Sequence, residues 1–127
     1  MDYKVFLLTF ISSISAFMFL SFIHFIRAKQ EEPWKVNFKF KNTPPEYDMI
    51  PYHPNSKKQE ILSYILIISA IIINIVHNPW WSSILILVLG KIIGEIVTRV
   101  FIYQRGYWGV ISILNIVMIV VLIVTLF

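Results

Sequence analysis

The sequence predicts an all-α integral membrane protein built from four transmembrane helices in one domain. Three observations carry that prediction. Of the 127 residues, 57% are hydrophobic and only 14% charged, against about a quarter charged in ordinary soluble domains. The mean hydropathy is +0.73. Four apolar runs, each able to cross a hydrocarbon core of about 30 Å at 1.5 Å per residue, are separated by polar or aromatic interruptions. The length suits a single domain over 1–127 and leaves no room for a separate catalytic unit.

The first helix is expected over about 5–26, VFLLTFISSISAFMFLSFIHFI. This run exceeds the apolar region of a typical signal peptide and no A-x-A site follows it. Its stronger positive flank, Arg27, Lys29 and Lys35, comes after the run. It therefore reads as a retained helix.

Residues 27–56 form the one sizeable polar segment, with Pro33, Pro44, Pro45, Pro51 and Pro54 excluding a continuous helix. Within it, Lys35-Val36-Asn37-Phe38-Lys39-Phe40-Lys41 alternates polar and apolar residues. That pattern fits a short strand or, since no partner strand is visible, an extended stretch on the bilayer surface. Lys35, Lys39 and Lys41 would then face anionic lipid or a partner, with Phe38 and Phe40 dipped inward.

Ser56 and Gln59 have capping-box spacing, so helix two is expected over about 57–77. Asn78-Pro79-Trp80-Trp81 is a helix stop with two interfacial tryptophans. Ser82 or Ser83 is expected to cap helix three, over about 82–103. Gly106 can adopt the left-handed conformation of a helix end, and helix four is expected over about 107–127.

Lysine and arginine concentrate in the segment after helix one, which places it on the cytoplasmic side with both termini outside. The net charge of +4 is thereby accounted for by topology and anionic lipid, and nucleic acid is not an expected partner. Heavy use of isoleucine and lysine points to a low-GC bacterium and its cytoplasmic membrane, with an organellar inner membrane as the alternative.

Helix three holds the residues most suited to a function. Lys91, Glu95 and Arg99 are spaced by four and share one face. Lys91 is ten residues beyond Trp81, about 15 Å along the helix and near the bilayer centre. An isolated charge there costs at least about 2.5–3.5 kcal/mol. A Lys91–Glu95–Arg99 ladder that neutralises itself is the simplest expectation; an ion or substrate path and recognition of a partner are the alternatives. Gly90, Gly94 and Thr98 form an adjacent stripe of small residues suited to close helix packing, which would put helix three in the middle of the bundle. Ser12, Ser13, Ser15, Ser69 and Asn115 fall near the same depth. They are expected to make hydrogen bonds between helices or, in the sharper reading, to build a polar midplane around Lys91.

There is no cysteine, and the three histidines have no metal-ligand spacing. No nucleophile elbow, P-loop or dinucleotide fingerprint occurs. An enzyme is not expected, and neither a metal nor a cofactor.

The stretch Gly94-Glu95 through Arg99, Tyr103, Arg105 and Tyr107, with Asn42-Thr43-Pro44 before it, resembles a group of small four-helix membrane proteins of low-GC Gram-positive bacteria. The resemblance implies the four-helix layout and no particular activity. Small multidrug-type transporters share the layout, but their essential glutamate lies in the first helix, where this chain has no acid after Asp2. The expectation is a non-enzymatic protein acting by interaction in the membrane, as an accessory subunit or a toxin-immunity protein. The alternative is a small oligomeric transporter or channel using Lys91 and Glu95.

Overall fold

The computed structural model describes residues 2–31, 54–102, 104 and 106–126, with the side chains of 28–31, 54, 55, 125 and 126 left aside. Every regular element among them is a helix: α1 (Tyr3–Glu31), α2 (Pro54–His77), α3 (Trp80–Phe101) and α4 (Tyr107–Leu126). Three of them, α1, α2 and α4, are long and apolar enough to cross a membrane, which is compatible with a multi-pass membrane protein. α3 has 22 residues and includes Lys91, Glu95 and Arg99. The segment Lys35, Phe38, Lys39, Phe40 and Lys41, expected on the lipid surface, lies outside the described residues.

Local chemistry sets the helix ends, in several places differently from expectation. The Asp2 carboxylate accepts from the Val5 backbone N–H at 3.3 Å and caps α1. α2 starts at Pro54, where a residue lacking an N–H suits the first helical position. The Ser56/Gln59 capping box does not form. Ser56 Oγ is buried without a hydrogen-bond partner, and Gln59 Oε1 instead accepts from Ser112 on α4 at 3.0 Å. α3 begins at Trp80 directly after the extended Pro79, so Ser82 and Ser83 lie inside the helix rather than at its cap. Gly106 does take the left-handed conformation, with φ of 79°, and opens α4.

The bundle is organised around α1, which packs against all three other helices far more than they pack against one another. This corrects the expectation that helix three is central. α1 and α3 run in the same direction, with Ser13 and Phe17 beside Gly90, and Phe17 and Met18 beside Gly94. α2 and α4 run the opposite way.

The interior is unusual in what it buries. Phe19, Phe22, Ile23, Ile26, Ile102 and Ile111 form an apolar cluster, yet Thr9, Ser12, Ser13, Ser63, Asn74, Ser82, Thr98 and Asn115 are as fully buried. Isoleucines and valines such as Ile65, Ile68, Ile72, Ile113, Val117 and Val120 point outward. In lipid no hydrophobic force draws aliphatic side chains inward, while hydroxyls and amides gain by bonding between helices. The distribution is therefore that of a bundle with an apolar surrounding.

Those polar groups are largely paired. Ser15 Oγ donates to Asn115 Oδ1 at 2.6 Å, and Asn115 Nδ2 donates to Ser63 Oγ at 2.8 Å, joining α1, α4 and α2. At one end of the bundle, Asn74 Nδ2 donates to Ser82 Oγ at 2.8 Å and Ser83 Oγ at 3.0 Å. Asn78 there accepts from the Asp2 N–H at 2.6 Å. At the other end, Arg27 and Glu60 form a two-pronged pair of 2.8 and 2.6 Å between α1 and α2.

The side chains of that pair are 35% and 19% exposed, so its contribution is that of a partly shielded bidentate bond, about 1–2 kcal/mol. Glu60→Ala is expected to lower stability in detergent by that amount. Exchanging the two charges (Arg27→Glu with Glu60→Arg) should recover most of it. Unfolding titrations of the four species in a double-mutant cycle measure the coupling directly.

Candidate functional site: a polar groove beside α3

The α1–α3 contact places the charged residues. Gly90, Gly94 and Thr98 are buried against α1, and Thr98 Oγ1 donates to the Met18 carbonyl at 3.0 Å while also meeting the Tyr107 hydroxyl at 3.0 Å. A Cβ added at Gly94 would lie 2.8 Å from Phe17 Cβ. With this face turned inward, the 100° step per residue directs Lys91 and Glu95 to the flank of α3 that faces α2.

There they line a groove of about 310 Å³ between α2 and α3. Its floor is α1, contributing Phe17, Leu20, Ser21, His24 and Phe25, and Tyr64 stands on the α2 side. The groove thus gathers an ammonium, a carboxylate, an imidazole, a phenol and a hydroxyl from three helices.

The ladder expected from the spacing does not close. Lys91 and Arg99 are exposed and Glu95 half-buried. Among the described residues the ion pair present is Arg27–Glu60, and none joins Lys91, Glu95 and Arg99 within 4.0 Å. Arg99 instead lies over the Phe25 ring, 5.6 Å from its centroid, where the electron-rich face attracts the guanidinium. Nor do Ser21, Tyr64, Lys91 or Glu95 hydrogen-bond to any described residue. Among the described residues most polar groups of the bundle interior are hydrogen-bonded, Ser13 Oγ and Ser56 Oγ excepted, whereas these four groove residues are not.

The other expected site residues are divided. Ser15 and Asn115 meet, with Ser63 as a third member that the sequence did not single out. Ser12 bonds back to the Leu8 carbonyl of its own helix at 2.7 Å and so links nothing. Ser69 borders an apolar cavity of about 370 Å³ between α2 and α4, among Leu62, Leu66 and Ile119. The arrangement of Asn115 and a serine around Lys91 is not found, because Asn115 spends its bonds on Ser15 and Ser63. His24 and Tyr64 join the site only through the fold. Among the described residues no group of three or more His, Cys, Asp or Glu residues is placed to hold a metal.

No protein-family profile, curated protein or solved structure matches the chain.

Proposed function

We propose that the chain spans a cell membrane four times and acts without catalysis, by binding another polypeptide through the groove beside α3. The observation that carries this reading is the set of unpaired groups there. Lys91 sits about 15 Å along α3 from Trp81, midway along the 22-residue helix, and Glu95 lies one turn further on, about 9 Å before Phe101. In lipid, charged side chains at such depth persist only with a partner or with water. Since neither has a partner among the described residues, we take a contact from outside the chain, rather than water alone, as the complement.

The same reading orients the chain. Arg27 and Glu60, with the lysines that follow α1, lie at the cytoplasmic end, and the tryptophans at the α2–α3 turn lie at the outer interface. A low-GC bacterial cytoplasmic membrane is the setting its composition suits. An accessory subunit of a membrane complex or a toxin-immunity protein fits the size and the lack of recognisable catalytic motifs. A conducting role is less well supported, because the polar groups between α1, α2 and α4 are paired and buried.

Lys91→Leu and Glu95→Gln are expected to abolish complex formation or toxin resistance while the protein still accumulates in the membrane. Deletion of the gene with no loss of either would overturn the reading. Flux through reconstituted liposomes that both substitutions eliminate would favour conduction instead.

A further inference from the structure

We infer that the polypeptide received by the groove is a second copy of this chain, so that the working unit is a two-fold homodimer joined along α3. The inference rests on the reading of the groove as an association site and names its occupant. The argument is one of charge and symmetry.

Ile84, Val88, Lys91 and Glu95 are spaced by four, three and four, so they share one outward face of α3. Ile84, Val88 and Lys91 are exposed and Glu95 half-buried. That face offers one ammonium and one carboxylate, a turn apart and neither with an ion-pair partner among the described residues. Arg99, a turn beyond Glu95, lies over the Phe25 ring of its own chain. A surface holding both members of a pair complements itself when a two-fold axis places it against its own copy.

The membrane fixes which two-fold is possible. Two copies inserted with the same orientation are related by an axis along the membrane normal, so their α3 helices run parallel and in register. Lys91 and Glu95 are then offset across the interface by about 6 Å, the rise of four residues. Helical side chains lean toward the N-terminus. Each Glu95 therefore reaches up toward the level of Lys91 of the other copy, and the long lysine stem, which shares that lean, folds back to meet it. Two reciprocal pairs result, neutralising Lys91 and Glu95 of both copies, while each Arg99 stays over the Phe25 ring of its own chain. Ile84 and Val88 supply apolar packing on the side nearer the outer interface.

The absence of cysteine makes cross-linking a clean test. Val88→Cys is expected to give a disulfide-linked dimer in native membranes on mild oxidation, and Leu89→Cys, on the other flank of α3, is expected to give none. In nanodiscs, photobleaching of the labelled full chain should show two steps for the wild type. Lys91→Glu should weaken dimerisation tenfold or more, and adding Glu95→Lys to it should restore the dimer by reversing both pairs at once. That rescue also guards against misfolding of the single variant.

A wild-type chain that remains a monomer in nanodiscs would overturn the inference. So would a Lys91→Glu dimer as tight as wild type, or equal cross-linking at positions 88 and 89. Failure of the underlying association reading is distinguishable. It would appear as Lys91→Leu and Glu95→Gln retaining complex formation and resistance, whatever their oligomeric state.

Discussion

Replacing Gly94 by alanine is expected to destabilise the bundle by about 1–3 kcal/mol, the usual range for overpacking, whereas Gly90→Ala should be close to neutral. The two glycines lie one turn apart and look equivalent in the sequence. A Cβ at position 94 would stand 2.8 Å from Phe17 Cβ and 3.0 Å from both the Met18 nitrogen and the Phe17 carbonyl carbon. Two of those three atoms are backbone, so they can yield only if α3 moves away from α1. Such a movement would also stretch the Thr98–Met18 bond one turn further on. At position 90 the nearest atoms, on the Phe17 ring and Ser13 Cβ, are 3.4 Å away, an ordinary contact. Any gain in helix propensity from alanine, at most about 1 kcal/mol, is then free to appear. Unfolding in mild detergent, followed for both variants, measures the difference. Equal stabilities would mean that α1 and α3 do not approach each other as described.

Much of the fold could be read from residue order, because its signals are local. Four runs of sufficient length, the Asn78-Pro79 stop and the Gly106 turn place four helices. The spacing of Gly90, Gly94 and Thr98 identifies the inward face of α3. Which helix occupies the centre could not be read in this way. An amphipathic stripe normally shows a helix's inner face, but here apolar residues surround every helix and the choice of neighbour depends on small residues and hydrogen bonds. α1 wins that place with Thr9, Ser13, Ser15 and Ala16, which admit neighbours closely on several sides. The groove was half legible for the same reason. Lys91 and Glu95 share a face by spacing alone, while His24, Ser21 and Tyr64 reach them only through the packing of α1 and α2. Glu60 was also overlooked as the partner of Arg27. A signal for it existed: a lone acid early in one helix, opposite a lone arginine late in the preceding antiparallel one.

The interior hydrogen bonds and the groove make separable contributions, and Asn115 is the residue that separates them. Asn115→Leu is expected to lower stability by about 1–2 kcal/mol, the upper part of the range for polar contacts between membrane helices. It removes the acceptor of Ser15 Oγ and the donor to Ser63 Oγ together. The cost is limited on the α2 side, since Ser63 keeps its bond to the Gln59 carbonyl at 3.0 Å. On the α4 side it is larger. Tyr107 and Ser112 bond near the start of that helix, and Asn115 is the last described residue along it with an interhelical hydrogen bond. The later part of α4 then rests on apolar contacts such as Met118 and Leu122 against Ala16 and Leu66. Met118→Cys, buried in the otherwise intact chain, should react faster with a thiol reagent when Asn115→Leu is added. Cross-linking at Val88→Cys should persist in the same background, because Asn115 takes no part in the groove. Lys91→Glu should show the reverse pattern, a slow-reacting Met118→Cys and no dimer. Loss of both properties in either variant would mean that one polar network, rather than two, runs through the bundle.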